Sequence, residues 1–157
     1  MKNPLLTISA IAVALAFSVG LASASTSPAA KVAVASSGLG QILVDGHGRT
    51  LYLFGKDAHG KSSCAGKCAA FWPPLVASGK TRASAGAKAS LLGTTRRADG
   101  RLQVTYNHHP LYTFVKDAGK GQTNGEGLNV FGGEWDAISS AGTKVASPAP
   151  AGDGYGY

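Results

Sequence analysis

The sequence predicts a small all-β domain made of two tandem repeats with pseudo-two-fold symmetry and one short helix. The first observation is an internal repeat, because LYLFGKDA at residues 51–58 returns as LYTFVKDA at residues 111–118 with six of eight residues identical. An internal repeat of this kind predicts that one structural unit occurs twice in the fold. The second is a series of short runs of β-branched and aromatic residues between Gly, Asp and Asn turns, a pattern typical of antiparallel strands. The third is that a single alanine-containing segment, ended by Pro73-Pro74, has helical character.

The two ends of the chain are expected to lie outside the folded domain. Lys2, the apolar run Leu5–Val19 and the triplet Ala22-Ser23-Ala24 predict a signal peptide at residues 1–24. A retained N-terminal anchor is the alternative, but the run is shorter than the ~20 residues of a comfortable membrane span, so we expect no stable span after cleavage. Ala, Ser, Pro and Gly dominate residues 25–37, predicted to be a flexible linker, and residues 142–157, predicted to be a disordered tail. The β domain is therefore predicted at residues 38–141.

Repeat 1, about residues 38–77, reads as short strands followed by the helix. A strand at Val32–Ala35, inside the predicted linker, precedes strands at Gln41–Asp45 and Thr50–Phe54. Alternation in the last of these places Tyr52 and Phe54 on one face and the flanking leucines on the other. The predicted helix is Cys64–Phe71.

Repeat 2, about residues 91–139, follows a basic connector of small residues at 78–89. Its strands are predicted at Leu91–Arg97, Arg101–Tyr106 and Leu111–Val115. Gly121–Gly127 replaces the helix of repeat 1 and is too rich in Gly to be helical. Trp72 and Trp135 occupy matching places and are predicted to fill the core.

Charge and motifs limit the possible functions. The formal net charge is +7, and the basic stretch 80–101 could bind anionic envelope polymers. No aromatic residues are interleaved with these charges, so we expect no nucleic-acid binding. The sequence contains no H-E-x-x-H, G-x-S-x-G, Walker or C-x-x-C-H motif, which predicts a protein that is not an enzyme and has no cofactor.

Cysteine and histidine residues offer a metal-binding alternative. In an exported protein, Cys64 and Cys68 predict one disulfide, because residues four apart on a helical turn lie about 6 Å apart. A soft metal or redox site at these thiols is the alternative. His47 and either His108 or His109 lie in equivalent hairpin turns, so duplication could bring them to related places as metal or haem ligands. Exposed turn histidines are the simpler reading.

The Tyr–Asp spacing is the feature that both repeats share most clearly. Tyr52 with Asp57, and Tyr112 with Asp117, could line equivalent ligand sites in the two halves. In the alternative interpretation, each tyrosine packs on the sheet while its hydroxyl and the aspartate fix the strand-ending turn. The repeat of the spacing together with its hydrophobic neighbours favours this second interpretation.

These motifs resemble a known family. Residues 51–75, 93–117 and 133–139, with two Tyr–Asp units, a C-x3-C and a W-P-P, are similar to the bacterial secreted repeat with Y-x4-D motif, often described as predicted lipoproteins. The resemblance implies a small exported β-rich repeat protein of unestablished activity. The chain lacks the cysteine that lipid anchoring would require.

The sequence thus predicts an exported, non-catalytic envelope protein, periplasmic or extracellular, that binds an unknown envelope ligand or protein. The loops Asp57–Cys64 and Asp117–Gly127 are the expected binding surface, where the two copies meet. The rival hypothesis is a periplasmic metal- or haem-binding protein associated with redox chemistry.

Overall fold

The computed structural model describes residues 29–145, so the predicted signal peptide and most of the predicted tail lie outside the described residues. Within that range, strands dominate and one short α-helix is present. The elements are β1 Lys31–Ser37, β2 Gly40–Asp45, β3 Tyr52–Phe54, α1 Lys67–Phe71, β4 Arg82–Ser84, a 3₁₀ turn Ala89–Leu91, β5 Leu92–Arg96, β6 Leu102–Tyr106, β7 His109–Pro110, β8 Leu128–Val130 and β9 Gly133–Ala137.

The strands form three sheets of three strands each. Their orders are β2-β1-β4, β3-β9-β8 and β5-β6-β7. All pairings are antiparallel except that of β1 with β4, which is parallel. The predicted all-β fold of two repeats with one short helix is confirmed, and the parallel pair is the exception to its antiparallel character.

Three predicted boundaries need correction. β1 at Lys31–Ser37 confirms the strand predicted at Val32–Ala35 but corrects the flexible linker 25–37, and the complete burial of Val32 explains why that segment is held. At the other end, the Val145 N–H donates to the Ala137 carbonyl at 2.8 Å, so the ordered chain extends past residue 141. The helix begins at Lys67 rather than Cys64, because Gly66 before it has φ of 56° and cannot continue a helix backwards.

The two faces of β3 contact two different cores, as the alternation predicts. Tyr52 and Phe54 belong to an aromatic core that also contains both tryptophans. Leu51 and Leu53 belong to an aliphatic core on the other side. In the second copy, Tyr112 and Phe114 join the aromatic core and Leu111 joins the aliphatic one. The Tyr-bearing segments therefore lie between the cores.

Each repeat completes its sheet with the last segment of the other repeat. Leu75 of repeat 1 donates its N–H to Leu111 and accepts from Val104, both of repeat 2. Ile138 of repeat 2 makes the matching pair of bonds with Leu51 and Leu43 of repeat 1. The two Tyr segments also join directly, since the N–H of each of Tyr52 and Tyr112 donates to the carbonyl of the other, at 2.9 and 3.1 Å. Each half therefore depends on backbone hydrogen bonds from the other.

Candidate functional site

The Tyr–Asp units bond across the repeats rather than within them. The Tyr52 hydroxyl donates to Oδ2 of Asp117 at 2.6 Å, and the Tyr112 hydroxyl donates to Oδ2 of Asp57 at 2.7 Å. We call these the crossed Tyr–Asp pairs. The partner of each tyrosine is therefore the aspartate of the other repeat, because the exchange of the last segments brings each tyrosine beside the aspartate of the other half.

The second oxygen of each aspartate holds its own loop. Oδ1 of Asp57 accepts from the N–H and the hydroxyl of Ser63 at 2.7 and 2.9 Å. Oδ1 of Asp117 accepts from the N–H of Asn124 at 2.9 Å. As the sequence suggested, both carboxylates accept backbone N–H bonds just past the strand. Each aspartate therefore joins a loop of its own repeat to the sheet of the other.

Burial fixes the protonation of the tyrosines. It raises the pKa of Tyr52 far above its usual value, and the hydrogen bond and charge of Asp117 raise it further. Burial followed by the charge of Asp57 does the same to the pKa of Tyr112. Burial also raises the pKa of Asp57, against the opposing effect of the hydrogen bonds that it accepts. Both tyrosines therefore remain neutral donors at physiological pH.

The predicted ligand residues differ in their access to solvent. Tyr52 and Tyr112 are completely buried and Asp117 is 5% exposed. Asp57 is partly exposed. The proposal that these four residues contact a ligand stays a prediction, and only Asp57 offers a substantial surface for it.

The core between the crossed pairs is a stack of four rings. In order, the rings belong to Phe54, Trp135, Trp72 and Phe114, and neighbouring centroids are 4.0, 3.9 and 4.2 Å apart. Tyr52 and Tyr112 each meet a tryptophan edge-on, at 5.2 and 5.1 Å. We call this arrangement the aromatic stack. It places both tryptophans in the core, as predicted, but at the contact between the repeats.

The disulfide loop is found in repeat 1 alone. Cys64 and Cys68 are joined, with Cα atoms 5.3 Å apart, and the described residues contain no free cysteine. The predicted disulfide is confirmed, and the thiolate version of the metal hypothesis is wrong because neither sulfur is free to bind.

A buried arginine that the sequence did not single out holds this loop in place. Arg97 of repeat 2 donates from Nη2 to the Cys64 carbonyl at 2.6 Å and from Nη1 to Ser62 and Gln103. The Ser62 hydroxyl also forms a hydrogen bond with the Tyr112 hydroxyl. The other members of the basic stretch 80–101, namely Lys80, Arg82, Lys88, Arg96 and Arg101, are exposed. Arg97 is therefore a structural residue and not part of a polymer-binding face.

Three histidines surround one cavity of about 480 Å³ beside Asp57. His59 and His108 each occupy a tight turn with a positive φ, of 52° and 67°, and His109 follows in β7. Burial lowers the pKa of His109. We call this cavity the histidine cleft. It unites His108 and His109 with His59, which the sequence analysis had not linked to them.

His47 does not join the histidine cleft. Its side chain is 83% exposed and lies 3.7 Å from Asp45. The space that corresponds to the cleft in the other half contains Lys120, whose side chain packs against Gly48 so closely that a Cβ there would approach to 2.9 Å. Between residues 29 and 145, no group of three or more His, Cys, Asp or Glu side chains is arranged to hold a metal ion.

A second concave site is a mostly apolar groove of about 500 Å³. Trp72 and Phe114 of the aromatic stack line it, together with Phe71, Lys116, Leu128, Val130 and Phe131. We call it the aromatic groove. Phe71 is 47% exposed, while Val130 and Phe131 are each 40% exposed, and the rings of Phe71 and Phe131 lie 6.1 Å apart. This site was not predicted from the sequence, although an aromatic residue before Gly132 in a hairpin turn is a visible signal.

The predicted loop surface is divided between the two halves. The loop after Asp57 packs against the 107–110 turn, since a Cβ on Gly60 would lie 3.4 Å from the His108 carbonyl. The loop after Asp117 packs against the first hairpin, where the N–H of Gly121 donates to Gly48. Each loop therefore rests on the hairpin of the other repeat.

Comparison with known proteins gives one match. A family model described as a secreted repeat of unknown function matches residues 33–76 and 93–139. The two matched segments correspond to the two repeats. No curated protein and no solved structure matches the chain. Across residues 29–145, no helix is long and apolar enough to cross a membrane.

Proposed function

The chain belongs to this family of secreted repeats of unknown function, and we propose that it is a non-catalytic binding module of the bacterial envelope, periplasmic or extracellular. Its ligand site in this proposal is the aromatic groove. The ligand is an apolar molecule or an apolar part of one.

The observation that carries the proposal is the conformation of Phe131. This residue has φ of 58° and precedes Gly132 with φ of 86°, in the two-residue turn between β8 and β9. Such turns favour Asn, Asp or Gly at the first position. A residue with a side chain at positive φ costs about 1–2 kcal/mol, and Phe131 remains 40% exposed despite that cost. A ligand that covers the Phe131 ring would bury its apolar surface, and the free energy of that burial would offset the cost of the positive φ.

Exposure of the neighbouring residues supports the same proposal. Full burial of a Phe or Val side chain stabilises by roughly 1.5–3 kcal/mol, so leaving Phe71 and Val130 partly in water forgoes a large gain. Val115, whose N–H donates to the Phe71 carbonyl, is 51% exposed. Large apolar residues gathered in one place are typical of binding surfaces.

The lining of the aromatic groove favours binding over catalysis. Lys116 is the one charged side chain among the described lining residues, and carboxylates, thiols and hydroxyls are not found among them. General acid–base or nucleophilic catalysis normally uses such groups. A volume of about 500 Å³ lies within the range of roughly 300–1,000 Å³ of small-molecule sites.

The proposal is tested with the substitution Phe131→Asn and the uncharged fluorescent probe N-phenyl-1-naphthylamine. Asparagine suits the turn, so the variant is expected to be as stable as the parent or more stable, by up to about 1 kcal/mol. Its probe fluorescence should fall at least fivefold. Leu102→Thr, which removes an exposed leucine outside the groove, is the matched control and should leave the fluorescence unchanged. Full probe binding by Phe131→Asn would exclude the groove as the site.

The histidine cleft favours a second candidate function, the binding of a divalent metal such as Cu²⁺ or Zn²⁺. Imidazole is a good ligand for both, and His59, His108 and His109 face one cavity with Asp57. Because no described group of three is arranged for a metal, binding would depend on fewer of these side chains. Zn²⁺ titration by calorimetry should show heat that His59→Ala and His108→Ala abolish and that His47→Ala preserves. Equal heat in all four proteins would reject this candidate.

A further inference from the structure

We infer that the ligand of the aromatic groove is an anionic amphiphile, a molecule with one flexible apolar chain and an anionic head group. This inference rests on the proposed function and adds the chemical class of the ligand. It follows from the shape of the groove and from the charges around its rim.

The shape of the groove suits a single apolar chain. Trp72 is completely buried and Phe114 nearly so, and both form the apolar floor of a concave site. Phe71 and Phe131 also line the groove and contact each other, with ring centroids 6.1 Å apart. A concave site with an apolar floor and partly exposed aromatic residues can accommodate an apolar chain.

Three lysines are placed around the same groove. Lys116 lines it directly. Lys56 lies over the Phe131–Gly132 turn, since its Nζ is 3.3 Å from the place of a Cβ on Gly132. Lys67 precedes Phe71 by four residues on α1, and residues at that spacing lie on one side of a helix.

The charge of these lysines is not neutralised by the protein. Lys56, Lys67 and Lys116 are exposed, and no acidic residue within 29–145 forms an ion pair with any of them. Lysine side chains can lay their methylene stems on apolar surface and keep the ammonium group in water. Apolar walls with ammonium groups at the rim match an apolar chain that ends in an anion.

The ligand class can be tested with three C10–C12 probes that differ in head group. Dodecanoate, dodecyltrimethylammonium and uncharged 1-decanol are titrated below their aggregation limits at pH 7.5, with tryptophan fluorescence and calorimetry as readouts. We expect dodecanoate to bind at least tenfold more tightly than dodecyltrimethylammonium. The triple variant Lys56→Gln/Lys67→Gln/Lys116→Gln should reduce that ratio below threefold while 1-decanol binds as before. Lys80→Gln/Arg82→Gln/Lys88→Gln, which removes the same three positive charges from exposed residues of the basic stretch, is the matched control and should keep the full ratio.

The possible results separate the inference from the proposed function. If 1-decanol and N-phenyl-1-naphthylamine bind but the anionic and cationic probes bind equally, the inference fails and the proposed function stands. If no probe binds, both fail. Binding to vesicles of phosphatidylglycerol without binding of dodecanoate would overturn the inference in favour of a membrane surface.

Discussion

The two halves of the molecule are alike inside and different outside. Each contributes one tryptophan, one phenylalanine and one tyrosine to the aromatic stack, and the crossed Tyr–Asp pairs differ by only 0.1 Å in length, at 2.6 and 2.7 Å. On the surface, repeat 1 has a disulfide loop and α1, while repeat 2 has a glycine-rich loop and the β8–β9 hairpin. The shared features stabilise the fold, and the aromatic groove uses the differences, because Phe71 comes from α1 and Phe131 from the hairpin.

A second difference concerns the aspartates of the crossed pairs. Asp117 is buried, whereas Asp57 is partly exposed and lines the histidine cleft. The glycine-rich loop closes over the Asp117 pair, since a Cβ on Gly125 would lie 2.6 Å from Trp72 and 3.0 Å from Tyr52. The crossed Tyr–Asp pair is therefore buried in the half that contains Asp117, whereas in the other half its aspartate, Asp57, lines a cavity.

The largest expected effect comes from breaking the aromatic stack. Trp72→Ala and Trp135→Ala should each lower the free energy of unfolding by about 3–5 kcal/mol. Trp135→Ala should cost about 1 kcal/mol more, because Nε1 of Trp135 donates to the Val130 carbonyl while that of Trp72 has no partner among the described residues. Urea unfolding followed by circular dichroism measures both. A loss below about 1 kcal/mol for either variant would show that the repeats do not depend on this contact.

A smaller and unequal effect is expected at the crossed Tyr–Asp pairs. Asp117→Ala leaves the buried Tyr52 hydroxyl without an acceptor and should cost about 1–3 kcal/mol. Asp57→Ala should cost less, because the Tyr112 hydroxyl keeps its bond to Ser62 at 2.7 Å and the site is open to water. Chemical denaturation of both variants gives the comparison. Equal losses would mean that exposure of Asp57 has no energetic consequence.

The third effect appears only in alkaline solution. Since burial raises the pKa of Tyr52 and Tyr112 in the folded state, the unfolded chain releases these protons first, near pH 10. Their contribution to stability is complete below pH 10 and falls above it, by up to about 1.4 kcal/mol per tyrosine for each pH unit. Thermal unfolding between pH 9 and 11 should show this slope, and Tyr52→Phe/Tyr112→Phe should flatten it. An unchanged slope in the double variant would assign the effect to other groups.

The repeat, the two faces of β3 and the disulfide could be predicted from the sequence. The repeat is visible in the residue identities themselves, and the faces and the disulfide depend only on residues close together in the chain. Alternation alone separates Tyr52 from Leu51, and a spacing of four brings Cys64 and Cys68 within reach. The crossed pairs could not be predicted in this way, because Asp57 is 55 residues from Tyr112 and only the exchange of the last segments joins them. Arg97 was read as one of several surface charges for the same reason, since its partner Cys64 is 33 residues away.

The aromatic groove was missed for a different reason. The sequence places Phe71 at the end of the predicted helix and gives no prediction for its burial, and it predicts no element at Phe131, which follows the glycine-rich loop 121–127. The hydrophobic pattern of a sequence predicts which residues are able to enter the core. It does not show which of those residues the folded structure leaves exposed, as it leaves Phe71 and Phe131. The exposure of both rings becomes visible only when α1 and the β8–β9 hairpin are placed side by side.

The exchange of last segments also governs how the chain reaches its native state. Segment 72–77 can pair only after residues 102–115 have been synthesised, so the first half cannot complete its hydrogen bonds ahead of the second. Contacts between residues so far apart in sequence slow folding. The same contacts can form between two chains, with the first half of one completed by the second half of its neighbour. We therefore expect domain-swapped dimers to form in competition with the monomer when the protein is refolded at high concentration.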